Sequence, residues 1–493
     1  MATLMVQGCS SWAGKSLLST ALARSFARRG VRVAPFKALN MSNNARVVVG
    51  GEIATAQYFQ ALAADARPDV RMNPVLVKPE GEMRSQVVVM GRVDHELSRT
   101  PWRGRAASLW PQIEAAFRSL ESEFDLVIAE GAGSPAEFNL WDVDVANMRV
   151  AKLARAVVLL VADIDRGGAF AHLYGTWSLL PQRQRALIRG FVLNKFRGDP
   201  SLLDPAPREL ERMTGIPVLG LVPYLRHALP DEDGAAVTTE GGEDSPIVAV
   251  IRYPTASNLD EFKPLESATR LRWALKPEDL RDADVVVLPG SKHVASDLAW
   301  LREHGFESEL RRRIDEGGRT MAICGGLQML GGQIDDAADV DGNARGLGFL
   351  PLETRFEARK VTRVVEASFG SLPNPWSSLS GQTFTGYEIR HGVTNASGHV
   401  LKAIPGGLGF VRGPVLATYM HGMFETPGIV AALFGNSRST TLDETFDNLA
   451  DAVEARVNIK LIEQALGRAA SRVTRLSGDS APRRVSSDLQ EMR

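Results

Sequence analysis

The stretch Met5–Gly30, MVQGCSSWAGKSLLSTALARSFARRG, decides the fold of the first part of the chain. It holds an apolar strand, a turn ending in Gly14-Lys15-Ser16, and a helix. In that context backbone N–H groups and a helix N-terminus cradle phosphates, with Lys15 on the terminal phosphates and Ser16 on Mg²⁺. The match to the usual phosphate loop is imperfect: Cys9 stands where that pattern has its first glycine, and Gly8 comes one place too early. A purely structural turn is the other reading of such a tripeptide.

Outward from this loop, strand-like runs recur at Leu4–Val6, Val31–Pro35, Leu126–Ala129, Val157–Val161 and Phe191–Leu193, with helical stretches between them. The alternation predicts a mainly parallel sheet with helices on both faces. Residues 230–246, LPDEDGAAVTTEGGEDSP in the surrounding sequence, are acidic, Gly-rich and poor in apolar side chains, as a linker is. A second α/β rhythm starts at Ile247, continues through Val285–Leu288 and Thr320–Ile323, and becomes more β-like over Gly381–Tyr419. The expected division is a phosphate-binding domain over 1–232, a linker over 233–246, a second domain over 247–470 and a disordered tail over 471–493.

The 493 residues carry a net charge of −1, so no global field favours nucleic acid or an anionic membrane. Hydrophobic content of 44% and charged content of 23% are ordinary for a chain with a substantial core. No apolar run reaches the roughly 18 residues needed to span a bilayer. The N-terminus lacks the basic-then-apolar pattern of a secretory signal. The two cysteines, Cys9 and Cys324, both lie in motifs, which fits a reducing cytoplasm better than a disulfide scaffold. Small-molecule chemistry is the expectation.

Several polar residues end apolar strands, where ligands collect in such sheets. Glu130, at the end of Asp125-Leu-Val-Ile-Ala-Glu, is a candidate Mg²⁺ ligand with Ser16; a carboxylate capping the next helix is the alternative. Asp163 and Asp165 raise the same question. Asn194, opening Asn194-Lys195-Phe-Arg-Gly-Asp199, either meets the nucleotide base or is solvated loop polarity.

In the second half, Thr320-Met-Ala-Ile-Cys324-Gly-Gly-Leu-Gln-Met-Leu runs from strand through a sharp turn into a helix. Such an elbow projects a nucleophile and sets it at a helix N-terminus that stabilises a thiolate. The bland reading, an inert buried thiol, fits the Gly-Gly flank less well. The Gly325 N–H can face a developing oxyanion, and the turn at Gly290-Ser291 offers a second source of such donors. Of the eight histidines, His421 in VLATYMHGMFE sits where a base for Cys324 is expected. Its orienting partner is left open; Glu425 has the wrong spacing.

Ordered segments then point to one family. APFKALNMSNNA (34–45), EIATAQYFQALAA (52–64), MNPVLVKP (72–79), EGAGSPAEFNL (130–140), DVDVANM (142–148), DIDRGGAFA (163–171) and NKFRGD (194–199) resemble the dethiobiotin-synthetase-like ATPase domain of the cobyric acid synthase family. SNLDEFKPL (257–265), LPGSKHVASDL (288–298), ICGGLQML (323–330), GYEI (386–389) and YMHGMF (419–424) resemble its class I glutamine amidotransferase domain. The resemblance covers about residues 1–435. It includes the longer glycine spacing of the phosphate loop and the lack of an acid two places after His421, where Met423 stands. Departures are Ala322 in place of an elbow glycine and Arg390 in place of a histidine.

The resemblance implies ATP and Mg²⁺ as cofactors, held by Gly14, Lys15, Ser16, Glu130 and Asn194. It implies that Lys37, Asn40, Gln57 and Asn73 line the substrate or phosphate cleft, and that Asp144 lies near the reacting carboxylate. Read locally, Gln57 and Asn73 are equally well surface amides. The implied reaction is glutamine-dependent amidation of the b, d, e and g carboxylates of adenosylcobyrinic acid a,c-diamide, with Cys324 and His421 as the glutaminase pair. The implied partners are therefore glutamine and a corrinoid. Alternatives are the a,c-diamide synthase reaction, whose enzymes continue from Pro-Phe-Lys into Gly-Pro-Asp rather than Asn40-Met41-Ser42, and a phosphate-loop switch protein with an inactive glutaminase appendage. Oligomeric state is not indicated.

Overall fold

Apolar strands that alternate with helices bury both faces of a sheet, and two such sheets organise the chain. The computed structural model describes residues 2–81, 84–225, 227, 229, 244–435 and 441–478 of the 493. The first sheet has six parallel strands in the order Val218–Pro223, Ile188–Phe196, Val157–Asp163, Ala2–Gly8, Leu126–Glu130 and Val33–Phe36. Ala2–Gly8 is flanked by strands from much later in the chain, so the loop that follows it opens at a topological switch point, where ligands bind. Helix Lys15–Arg28 starts directly after that loop.

The second sheet has seven strands in the order Arg270–Ala274, Ile247–Ile251, Val285–Leu288, Arg319–Ile323, Val415–Thr418, Gly409–Arg412 and Leu401–Ile404. The first five run parallel, Gly409–Arg412 runs against them, and Leu401–Ile404 is antiparallel to Gly409–Arg412 in turn. A long antiparallel hairpin, Leu352–Ser368 with Thr383–Ala396, stands beside it and accounts for the β-like composition of that region. The α/β class and the parallel first sheet agree with the sequence reading.

The end of the chain does not. Helices Leu442–Glu454 and Ile459–Gly478 pack on the first unit, where Phe446, Leu449, Val453, Ile462 and Leu466 share a core with Leu4, Val6, Leu18 and Leu22. Ion pairs Arg24–Asp447 at 2.8 Å and Arg28–Asp451 at 2.7 Å line the same contact. The second domain expected over 247–470 therefore gives up its last two helices to the first. The segment expected as a tail from 471 is helical to Gly478, and 479–493 lie outside the described residues, as do 233–243 of the expected linker. Among the described residues, no helix is long and apolar enough to cross a membrane.

Candidate active site

The phosphate loop closes on a backbone that only glycine tolerates. Gly14 has φ 90°, and a methyl there would stand 1.9 Å from Asn194 Nδ2. Asn194 is buried at the end of its strand and donates to Ala13 O at 2.9 Å, so it holds the loop itself. Lys15 Nζ donates to Ser10 O and Gly133 O, at 3.1 and 3.3 Å. Ser16 Oγ donates to Glu130 Oε1 at 2.9 Å. Glu130 is buried at its strand end and also takes Lys37 Nζ at 2.8 Å and Gln60 Nε2 at 2.6 Å. One carboxylate thus gathers a hydroxyl, an ammonium and an amide beside the loop.

A cavity of about 500 Å³ opens next to this cluster. Trp12, Lys15, Lys37 and Asn40 line it from the first unit, and Tyr253 and Leu259 from the second. A second cavity, on the helix side of the loop, is lined by Gly14, Ser16, Asn194, Lys195 and Tyr224. Cys9, by contrast, is half-buried, and burial pushes its thiol up to about 12 even though its hydrogen bond to Thr176 and the charge of Lys15 pull the other way.

The elbow at Cys324 is strained. Its φ of 51° and ψ of −104° are unusual for a side-chain-bearing residue, and it caps the helix Gly325–Leu330. The following glycines are required by close approach. A methyl at Gly325 would come 2.7 Å from Ser291 N, and one at Gly326 would come 2.3 Å from Leu288 O. Gly290 lies against the other partner: a methyl there would meet His421 Cε1 at 3.2 Å. Gly290, Ser291 and Gly325 therefore pack together beside Cys324 and His421.

His421 is buried, and its Nδ1 stands 2.9 Å from Glu261 Oε1. Gly422 N donates to the other Glu261 oxygen at 3.1 Å. Burial opposes the imidazolium, but the Glu261 carboxylate and the hydrogen bond with Cys324 outweigh it and push His421 up to about 10. A thiol, an imidazole beside it and a carboxylate on that imidazole make the kind of arrangement that acyl transfer uses.

A family model for the CobQ/CobB/MinD/ParA nucleotide binding domain matches residues 4–233, and one for the CobB/CobQ-like glutamine amidotransferase domain matches residues 247–428. A cobyric acid synthase of a Polaromonas species is 51% identical over 486 residues, covering 92% of this chain and 96% of that one. Cobyric acid synthases of Variovorax paradoxus and Paracidovorax citrulli are each 54% identical, with the same 92% and 96% coverage. The chain belongs to the cobyric acid synthase family. It is accordingly an enzyme, with a nucleotide-binding unit joined to a glutamine amidotransferase unit.

Within this cobyric acid synthase architecture, three residues expected at the substrate take other places. Asn73 is buried and clips Ala54 N to the carbonyls of Lys37 and Val75. Gln57 is buried, accepting from Asn40 and donating to Gln60. Neither is a surface amide, and neither lines the cavity beside Lys15. Asp144 uses both oxygens on the N–H groups of Ala146, Asn147 and Met148, capping the start of helix Met148–Ala154. It acts at one remove: Asn147 in turn holds Ala132, which lines the cavity with Gly133.

Glu261, Gln60, Lys292 and Lys360 were not anticipated from sequence. Lys360 Nζ pairs with the buried Glu52 at 2.6 Å, and Lys78 meets the same carboxylate. Burial, reinforced by the charge of Lys360, pulls Lys292 down to about 8. Lys292 and Lys360 line the Cys324 cavity together with Glu80 and Asp341.

Proposed function

We propose that the chain amidates the b, d, e and g carboxylates of adenosylcobyrinic acid a,c-diamide to cobyric acid, with ATP and glutamine as co-substrates. The observation that carries this reading is the wall between the two cavities. Ala256 and Leu259 line the cavity beside Lys15, while the intervening Ser257 and Asn258 line the cavity of Cys324. Pro79 and Glu80 divide in the same way. One layer of chain separates the place where nitrogen is released from the place where a carboxylate is activated.

Carboxylates resist ammonia because hydroxide leaves poorly. Attack of a substrate carboxylate on the γ-phosphorus of ATP releases ADP and gives an acyl phosphate. Lys15 is the residue to offset the charge on the transferring group, with Lys37 beside it. The chemistry of Ser16 and Glu130, a hydroxyl and a carboxylate 2.9 Å apart, suits a hard cation bound together with phosphate oxygens. Mg²⁺ held there would neutralise phosphate charge.

At the other site Cys324 attacks the glutamine amide carbon, with the N–H groups around Gly290, Ser291 and Gly325 facing the oxyanion. His421 holds the thiol proton, gives it to the departing nitrogen, then takes a proton from the water that hydrolyses the thioester. Ammonia crosses the wall as free base, attacks the acyl phosphate carbon and expels phosphate. A cavity of about 500 Å³ suits a carboxylate arm and the edge of a macrocycle rather than its whole body.

The test is to follow corrinoid mass with ATP, Mg²⁺ and glutamine. Stepwise carboxylate-to-amide changes on the a,c-diamide support the reading. Turnover of cobyrinic acid itself, with the diamide inert, would favour a,c-diamide synthesis instead.

A further inference from the structure

Arg252 follows directly on the strand Ile247–Ile251, at the carboxyl end of a run of parallel strands, where ligands collect. Its backbone is fixed. The Arg252 N–H donates to Ala274 O at 3.0 Å, and the next residue, the buried Tyr253, donates its hydroxyl to Pro289 O. The Arg252 side chain is half-buried and lines the cavity of about 500 Å³ beside Lys15. Among the described residues, its guanidinium has no hydrogen-bond or ion-pair partner.

The charge of that cavity has one sign. Among the described residues that line it are three cations, Lys15, Lys37 and Arg252, and no acid. Two of the three are already engaged. Lys15 donates to Ser10 O and Gly133 O within the phosphate site, and Lys37 meets Glu130 at 2.8 Å. Arg252 is the cation left to meet an anion that enters. Its planar fork of N–H groups suits a carboxylate held at two points, which a lysine ammonium does not match.

The mouth of the same cavity carries apolar surface. Trp12 is 42% exposed and Met41 51%, and both line the cavity. Trp12 holds its place at φ 64°, a left-handed backbone that a bulky residue rarely adopts. Its carbonyl accepts from Lys195 Nζ at 2.7 Å, and Lys195 is itself paired with Asp163 at 3.0 Å. The surrounding structure thus holds the strained turn that presents this indole.

We propose that Arg252 is a specificity-determining residue for the corrinoid: its guanidinium takes an unreacted carboxylate arm while Trp12 and Met41 carry the edge of the macrocycle. The inference rests on the corrinoid reading above. The carboxylate under activation must turn an oxygen onto the γ-phosphorus, and a two-point grip on both its oxygens would hold back the lone pair it needs. The substrate proposed above offers four carboxylates, of which one meets the phosphate at a time. A neighbouring arm is therefore the group for Arg252. The body of the macrocycle, too large for the cavity, rests on the exposed indole and thioether outside it.

The test uses the full chain with ammonium as nitrogen source and saturating ATP and Mg²⁺, following the initial rate of corrinoid mass change against diamide concentration. Arg252→Gln should raise KM for the diamide about tenfold or more, the scale of one charge-assisted pair. Its kcat and its KM for ATP should stay within about twofold of wild type, as expected when only ground-state binding is lost. Arg252→Lys keeps the charge without the fork and should recover only part of the loss; it decides the matter if Arg252→Gln does not fold. Trp12→Ala, at an exposed position, should raise the same KM about threefold or more. A wild-type KM for the diamide in Arg252→Gln or in Trp12→Ala overturns the proposal. So does an Arg252→Gln defect confined to kcat or to KM for ATP, which would put Arg252 on the transferring phosphate. A wild type that leaves the diamide unchanged even with ammonium overturns the substrate reading, and this assignment with it; an active wild type isolates the question of Arg252.

Discussion

Glu261 reaches His421 across 160 positions of sequence, with Oε1 2.9 Å from the imidazole Nδ1. Both residues are buried, and the second carboxylate oxygen accepts from Gly422 N. The carboxylate that meets the imidazole therefore comes from the start of the amidotransferase unit, not from the segment after the histidine. Glu425, which follows His421, faces Arg46.

Glu261→Gln should lower glutamine hydrolysis roughly a hundredfold, the scale of one positioned proton-transfer group. It should also move the alkaline limb of the pH–rate profile downward, because the charge that lifts His421 to about 10 is gone. An unchanged limb would mean that Glu261 does not set the protonation of His421.

The same pair makes stability depend on pH. His421 is raised from 6.5 to about 10 on folding, so its contribution is complete below pH 6.5 and is lost as pH rises toward 10. The stability gap between wild type and Glu261→Gln, from urea unfolding, should narrow from pH 6 to pH 10. A gap that stays constant would contradict the assignment.

Gly14→Ala should weaken ATP binding by about tenfold or more, read by nucleotide titration. The added methyl would displace Asn194 and force a residue with a Cβ to φ 90°. Near wild-type affinity would show that the loop rearranges freely.

Leu449→Ala should cost about 2–5 kcal/mol, the usual range for such a cavity in a packed core. Because Leu449 packs with Leu4 and Leu22, the loss should appear as nucleotide binding failing at lower denaturant, with glutamine hydrolysis outlasting it. The opposite order would return the C-terminal helices to the second unit.

Local chemistry was legible in sequence and long-range placement was not. The glycine at 14 and the Cys324 elbow announce themselves because strand, turn and helix occupy consecutive residues. The apolar spacing of Leu449 and Val453 marks a helix but says nothing about which sheet receives it. Gln57, Asn73 and Asp144 sit in segments that resemble a substrate site, yet their polar atoms are consumed by neighbouring backbone and amides. Glu261 lay in a recognised segment, SNLDEFKPL, but an acidic residue carries no local sign that it will be buried against a histidine from the far end of the fold.

The most direct test of the central claim is Cys324→Ala assayed with ATP, Mg²⁺ and adenosylcobyrinic acid a,c-diamide, with glutamine or ammonium as nitrogen source and corrinoid mass as the readout. Two sites joined by one wall predict no amidation from glutamine and stepwise amidation from ammonium. Amidation from glutamine by this variant, or none from ammonium while wild type turns over, would contradict the account.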